Sequence, residues 1–239
     1  MQPPRITIVE NGPYLVSGNV PLEVKIIRNN GVENYYEEGR PLPQAESYAL
    51  CRCGRSRTMP FCDGSHVHAA FDGTETASRE PYMELAESLE GPELTMMDQG
   101  ILCSYARFCH KARGDAWNLT EHSRNPKYRS AAIQAAVDCP AGRLIALDPE
   151  TGKAIEPEYT PAIAIQEDPD MQCGGPIWVR GGIPIVSSDG FTYEIRNRVT
   201  LCRCGQSDNK PFCDASHIPS GQNPDFDGDS QDGYSLPAE

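Results

Sequence analysis

The sequence predicts an α+β chain rich in strand, and three observations carry that prediction. Short alternating apolar segments recur near both ends, Gly and Pro each occur 21 times among 239 residues, and one cysteine-rich stretch is present twice. Frequent Gly and Pro favour turns and short strands over long helices. The length accommodates one domain or two, with ample chain for a core.

Ile6-Thr-Ile8-Val9, Tyr14-Leu-Val16 and Leu22-Glu-Val24-Lys-Ile26 alternate as strands do. Asn11-Gly12-Pro13 and Ser17-Gly18-Asn19 supply the turns between them. The polar run from Asn29 to Ser47 predicts a loop, and Tyr48-Ala-Leu50 leads into the first cysteine stretch. Pro81 to Leu89 puts Met83, Leu85, Ala86 and Leu89 on one side and predicts a helix stopped by Gly91-Pro92. Asn125-Pro126 opens a second helix carrying Ala131, Ala132, Ile133, Ala136 and Val137, which ends before Cys139. Arg143 to Leu147 follows as a strand and Asp148 to Gly152 as a hairpin turn.

The opening plan then returns. Gly175-Pro176-Ile-Trp178-Val179-Arg-Gly181-Gly-Ile183-Pro184-Ile185 aligns with Gly12-Pro13-Tyr-Leu15-Val16-Ser-Gly18-Asn-Val20-Pro21-Leu22. Tyr193-Glu-Ile195 and Val199-Thr-Leu201 lead into the second cysteine stretch. Pro21 lies 30 residues before Cys51 and Pro184 lies 18 before Cys202, so the first copy carries 12 extra residues. The repeat is therefore larger than the cysteine stretch and includes strands.

The cysteine stretch places Cys51, Cys53, Cys62 and His66 in one copy and Cys202, Cys204, Cys213 and His217 in the other. Each copy reads C-x-C, eight intervening residues, then C-x-x-x-H. Three thiols and an imidazole in so short a span form a metal-site pattern. A Cys3His zinc knuckle is the plain alternative, but zinc pairs usually stand as C-x2-4-C. The fuller pattern, C-x-C-x2-S-x3-P-x-C-D-G-S-H, resembles the CDGSH iron–sulfur (NEET) family. The first copy fits at every position, and the second departs only at Ala215, where the family has Gly.

That resemblance implies a β-rich cap beside a cluster-binding lobe. It also implies one [2Fe–2S] cluster per copy on the eight residues named. Many members are homodimers, so two copies in one chain imply an intrachain pseudo-dimer. Three thiolates and one neutral imidazole should give a potential between the all-Cys and two-His ranges, about −400 mV and about −150 to +300 mV. Asp63 and Asp214 are expected to cap a following turn of helix.

The middle segment holds Cys103, Cys109 and Cys139, followed by Pro140 and Gly142. It resembles a divergent single-cluster ferredoxin-like domain short of one cysteine, with a three-iron centre and His110 as a conceivable fourth ligand. The expectation favoured here is that the three thiols are buried structural residues, leaving the two [2Fe–2S] clusters as the only cofactors. Cys173 is expected to be structural. Asp115, Glu121, His122 and Ser123 lie close in sequence, but no Gly-x-Ser-x-Gly elbow accompanies them. Asn118-Leu-Thr120 matches a glycosylation acceptor. The stretch Asp225 to Asp232 resembles a calcium loop only faintly and reads as acidic tail.

A net charge of −13 and a pI of about 4.8 argue against nucleic acid and anionic membranes as partners. No stretch is long and apolar enough to span a bilayer. Cysteines committed to metal favour a reducing, cytoplasmic setting. The expected organisation is a first CDGSH repeat over 1–76, a helical ferredoxin-like insert over 77–165, a second CDGSH repeat over 166–220 and an acidic tail over 221–239. The expected function is one-electron transfer, redox or pH sensing, or cluster transfer to a redox or cluster-accepting protein, by a monomer. A carrier is favoured over an enzyme. The alternatives are a cluster-containing oxidoreductase relay, which no Gly-x-Gly-x-x-Gly fingerprint supports, and a zinc-stabilised interaction module.

Overall fold

A computed structural model describes residues 2–218. The acidic tail over 221–239, with its calcium-like stretch, lies outside the described residues. The first repeat builds β1 (Arg5–Ile8), β2 (Tyr14–Ser17), β3 (Leu22–Asn29), β4 (Asn34–Glu38) and β5 (Ser47–Leu50), then a single turn of helix, α1 (Ser65–His68). The middle segment builds α2 (Tyr82–Leu85), β6 (Glu87–Glu90), β7 (Thr95–Asp98), the small ribbon β8 (His110–Lys111) and β9 (Gly114–Asp115), α3 (Ala116–Glu121), α4 (Pro126–Val137) and β10 (Leu144–Leu147). The remaining strands are β11 (Ala162–Asp168), β12 (Cys173–Arg180), β13 (Ile185–Val186) and β14 (Arg198–Leu201).

Two sheets dominate, in the orders β13-β1-β2-β5 and β14-β12-β11-β3-β4. The first takes one strand, β13, from the second repeat, and the second takes two, β3 and β4, from the first. β1 pairs parallel with β13, Ile6 opposite Ile185, and β11 pairs parallel with β3, Ile163 opposite Leu22. The inward positions of both sheets merge in one core that includes Ile6, Tyr14, Val16, Leu22, Ile163, Ile165, Ile177 and Leu201. Separate burial of either repeat would leave these strands half covered, so the exchange is what completes the core.

Two expectations are corrected. The polar run after Asn29 is not a loop throughout, because β4 folds back on β3 in a hairpin, Ile27 opposite Tyr36. Its alternation is masked by charged residues on the exposed face. The helix expected over Pro81 to Leu89 is only α2; Ala86 is already extended, and β6 pairs with β7. Gly91-Pro92 is thus a hairpin connection, where the Gly91 N–H meets Leu94 O at 2.8 Å. Strand pairing outweighs the helical spacing there. α3 was not foreseen, although Asp115 caps it by accepting from the Asn118 N–H. Residue 165 lies inside β11, which belongs to the second large sheet, so the strand crosses the expected insert boundary. The helix after Asn125 and the strand from Leu144 to Leu147 stand as read, with Asn125 as N-cap and Pro126 at the first helical position.

The middle segment has its own small core of Leu94, Met96, Leu119, Ala132, Ala136 and Leu144. It docks against the second repeat through buried Arg198, whose Nε donates to Cys139 O at 2.7 Å and whose Nη2 donates to Ala136 O at 2.7 Å, while Nη1 pairs with Glu156. Leu102 and Phe212 meet in the same seam with Tyr82 and Met97.

One cross-repeat bond is isolated enough to test. The fully buried Tyr14 hydroxyl donates toward Cys202 O at 2.8 Å and Pro211 O at 3.1 Å. Tyr14→Phe removes this donor at unchanged ring packing, while Pro211 O keeps the Cys202 N–H. It should lower unfolding stability by about 1–2 kcal/mol, read as a lower urea midpoint at constant m-value.

Candidate metal centres

Both cysteine stretches fold into the same loop. The strand before each ends at a backbone bond from the first cysteine, Cys51 N–H to Pro60 O at 2.7 Å and Cys202 N–H to Pro211 O at 2.9 Å. Cys62 N–H returns to Ala49 O and Cys213 N–H to Thr200 O, each at 2.9 Å. Ser56 Oγ donates to Phe61 O at 2.6 Å, and Ser207 Oγ to Phe212 O at 2.7 Å. Pro60 and Pro211 both follow cis peptide bonds.

Asp63 and Asp214 do not cap a helix in the expected way. The N-cap of α1 is Gly64, which has no side chain to offer. Asp63 instead accepts from the Arg57 and Ser65 N–H groups at 2.9 Å each, and Asp214 accepts from the Asp208 and Ser216 N–H groups at 2.8 and 3.0 Å. Each carboxylate closes its loop across six residues. The Arg57 N–H bond, with support from Ser65, holds the Asp63 carboxyl far below the usual range.

The eight ligand candidates come together as four pairs. Cys51 Sγ stands 3.7 Å from Cys53 Sγ, and Cys202 Sγ 3.6 Å from Cys204 Sγ. Cys62 Sγ stands 3.4 Å from His66 Nδ1, and Cys213 Sγ 3.4 Å from His217 Nδ1. Two ligands on one tetrahedral ion, at metal distances of about 2.3 Å for sulfur and about 2.0 Å for nitrogen, lie about 3.5–3.8 Å apart. Each pair therefore has the bite of one metal. Among the described residues, no group of three or more His, Cys, Asp or Glu side chains is close enough to hold a single ion. Pairs of ligands suit a two-iron cluster, with two protein ligands on each iron.

The local electrostatics prepare thiolates. The Cys53 thiol beside Cys51, aided by backbone N–H groups, pulls the Cys51 pKa down to about 6. Cys204 and the loop amides do the same for Cys202, also to about 6, while each partner thiol is pushed up. A metal stabilises the second thiolate where protein alone does not.

The two sites differ in exposure. Cys213 is 2% and His217 5% exposed, whereas Cys62 and His66 are only half-buried. Burial, with the Arg203 charge nearby, pushes the His217 pKa down to about 4. The two C-x-C-G turns also touch each other. A side chain at Gly54 would meet Cys204 O at 2.5 Å, and one at Gly205 would meet Cys53 O at 2.8 Å.

The middle cysteines are only partly buried, and Cys109 and Cys139 also pack against the small core. Cys103, Cys109 and Cys139 are all half-buried and line one small cavity with Arg143 and Trp117. Burial, then the neighbouring Cys139 and Cys103, push Cys109 up to about 11. Arg143 holds Asp98 at 2.6 and 2.8 Å, with the Cys103 thiol also in reach. His110 is exposed and takes no part in this lining. Cys173 is buried, and burial pushes its pKa up to about 12.

The remaining candidates do not assemble. Ser123 Oγ accepts from the Glu93 N–H, His122 Nδ1 faces Asn118 O, and Asp115 caps α3, so no triad forms. Thr120 in the glycosylation-like triplet is fully buried. Trp178 is core, stacked on Tyr36 with ring centroids 5.1 Å apart. Sequence reasoning passed over Arg52 and Arg203, the middle residues of the two C-x-C turns. Both are buried, and the signal available was their identity in the two copies. All ten cysteines are free, and among the described residues no helix is long and apolar enough to cross a membrane.

Comparison with known families agrees with this geometry. Residues 11–67 and 174–218 match the family described as iron-binding zinc finger, CDGSH type. Residues 89–149, between them, match the family described as divergent 4Fe-4S mono-cluster. No curated protein and no solved structure matches the chain.

The aligned positions Gly64 and Ala215 supply a prediction. Their φ angles are +86° and +71°, a left-handed backbone that costs a non-glycine residue roughly 1–2 kcal/mol. Ala215→Gly should relieve about 1 kcal/mol and slow metal loss from the second loop alone. Gly64→Ala meets open space, so it should weaken the first loop by backbone strain only. Metal-release half-lives of the two variants check both.

Proposed function

From a chain that carries two CDGSH-type segments around a divergent mono-cluster segment, we propose an iron–sulfur electron carrier with one [2Fe–2S] cluster in each CDGSH-type site. The observation that carries it is the pairing of ligands, Cys51 with Cys53 and Cys62 with His66, repeated in the second copy at nearly the same separations. Bound there, such a cluster supplies one-electron redox chemistry. The protein's part is to offer thiolates at Cys51 and Cys202, to present imidazole Nδ1 at His66 and His217, and to close each loop with Asp63 or Asp214.

The paired repeats form an intrachain pseudo-dimer in this reading. Reciprocal contacts favour it: β1 with β13 against β11 with β3, and Gly54 on Cys204 against Gly205 on Cys53. The Cys103, Cys109 and Cys139 cavity is a third iron–sulfur position with three protein ligands. Its shared, half-buried lining and the family match over 89–149 favour that role over buried structural thiols. The physiological partner is a redox or cluster-accepting protein, met in a reducing compartment.

The test is a visible spectrum with iron, sulfide and zinc analysis of anaerobically purified protein. Charge-transfer bands with about seven or eight irons per chain are expected, falling to about four in Cys103→Ala. A colourless zinc protein would sink the proposal. About four irons in the unaltered chain would restrict it to the two CDGSH-type sites.

A ligand exchange tests the histidine assignment. His66→Cys and His217→Cys should each lower the potential of one cluster, since a thiolate adds negative charge. In the unaltered protein, acid should bleach the first site before the second, because water reaches His66 and not His217. Stopped absorbance after a pH drop reads the order.

A further inference from the structure

We propose that the two CDGSH-type sites stand at different reduction potentials, the first higher, and that Arg52 and the Arg203–Glu167 ion pair set the difference. The inference rests on the reading of both sites as [2Fe–2S] centres. The two arginines occupy the same place in the two C-x-C turns, and both are buried, 2% and 8% exposed. Their surroundings are not the same.

Arg52 meets no carboxylate within ion-pair distance among the described residues. Its Nη1 donates to Val9 O at 3.3 Å and its Nη2 to Gly73 O, while its Nε is buried without a partner. The rings of Tyr14 and Phe71 lie 5.6 and 5.5 Å from its guanidinium carbon. Carbonyls and aromatic faces ease the burial of the cation, and the exposed Asp72 carboxylate, beyond ion-pair distance, offsets its charge only in part. Arg203 has comparable carbonyl contacts, Nε to Gly175 O at 2.6 Å and Nη2 to Gln166 O at 3.2 Å. It also holds Glu167 Oε1 at 2.8 Å, which offsets part of a charge that still reaches His217.

Adding an electron makes either cluster more negative. A buried cation nearby favours that step, and a partly neutralised one favours it less. Burial acts in the same direction, since the enclosed second site pays more to take up charge than the half-exposed first site. The loop charges agree: Arg55, Arg57 and Met59 in the first loop align with Gln206, Asp208 and Lys210 in the second, so the first loop is the more positive. Arg107, paired with Asp168, adds a part of its positive charge on the second site's side and opposes the difference there. Arg52 and Glu167 act through these charges and are positioning residues that touch no cluster atom. An electron shared between the sites then rests on the first, whose imidazole is nearer to solvent. The touching turns at Gly54 and Gly205 give it a short route.

The experiment is a potentiometric titration followed by electron paramagnetic resonance, with His66→Cys and His217→Cys used to assign each signal. Two separate one-electron steps are expected, the first site reducing at the higher potential. Glu167→Gln keeps the shape of the side chain and removes its charge, so it should raise the second step and leave the first in place. Arg52→Gln should lower the first step alone, and Arg52→Lys should restore it. Coincident steps in the unaltered protein, or a Glu167→Gln variant in which the second step does not move, overturns the inference. If the Arg52 variants fail to fold, Glu167→Gln decides it. Protein that holds zinc and shows no reduction step overturns the reading of the sites along with it.

Discussion

The two C-x-C-G turns lie against each other so closely that neither glycine tolerates a side chain. A Cβ at Gly54 would meet the carbonyl of Cys204, and one at Gly205 would meet that of Cys53. Much else follows from this contact. It requires the strands leading to each turn to converge, and they converge because each sheet includes strand from both repeats. The common core that results, from Ile6 through Ile165 to Leu201, exists only with both repeats in place. Folding alone brings the two sets of thiols together in such an arrangement, since the loops that present them are also the loops that meet.

Within that frame, each ligand loop is almost self-sufficient. Its serine, its aspartate and its first and third cysteines make the same backbone bonds in both copies. The differences come from outside the loop. The middle segment packs Leu102 on Phe212, next to Cys213, and Arg198 fixes its α4 end beside the second repeat. The first loop keeps an open face, with Val67 among the exposed apolar residues. Two sites of like chemistry thus acquire unlike solvent access and unlike background charge.

The short elements of the middle segment show where local pattern loses to pairing. Residues 82–90 carry helical spacing, yet only one turn is helix, because Glu87–Glu90 completes a three-stranded sheet with β7 and β10. An isolated turn of helix gains little, whereas strand pairing on a formed neighbour satisfies a row of backbone groups at once. The β3–β4 hairpin was hidden for the opposite reason. Tyr35, Glu37 and Glu38 are exposed, so apolar alternation barely registers, while Asn34 and Tyr36 face inward toward Ala106 and Phe108.

The sequence by itself determined the repeat, the thiol-and-imidazole motif in each copy and the strand character of both ends. These depend on residue type and spacing over short stretches, where covalent geometry leaves few alternatives. Only the tertiary structure decided that the repeats exchange strands and that Cys103, Cys109 and Cys139 face one cavity. It alone gave Arg203 a carboxylate partner and left Arg52 without one. Those outcomes join residues far apart in the chain, such as Ile6 with Ile185 and Tyr14 with Cys202. Matching loop motifs carry no record of what packs behind them, and burial and charge at that distance are properties of the folded neighbours.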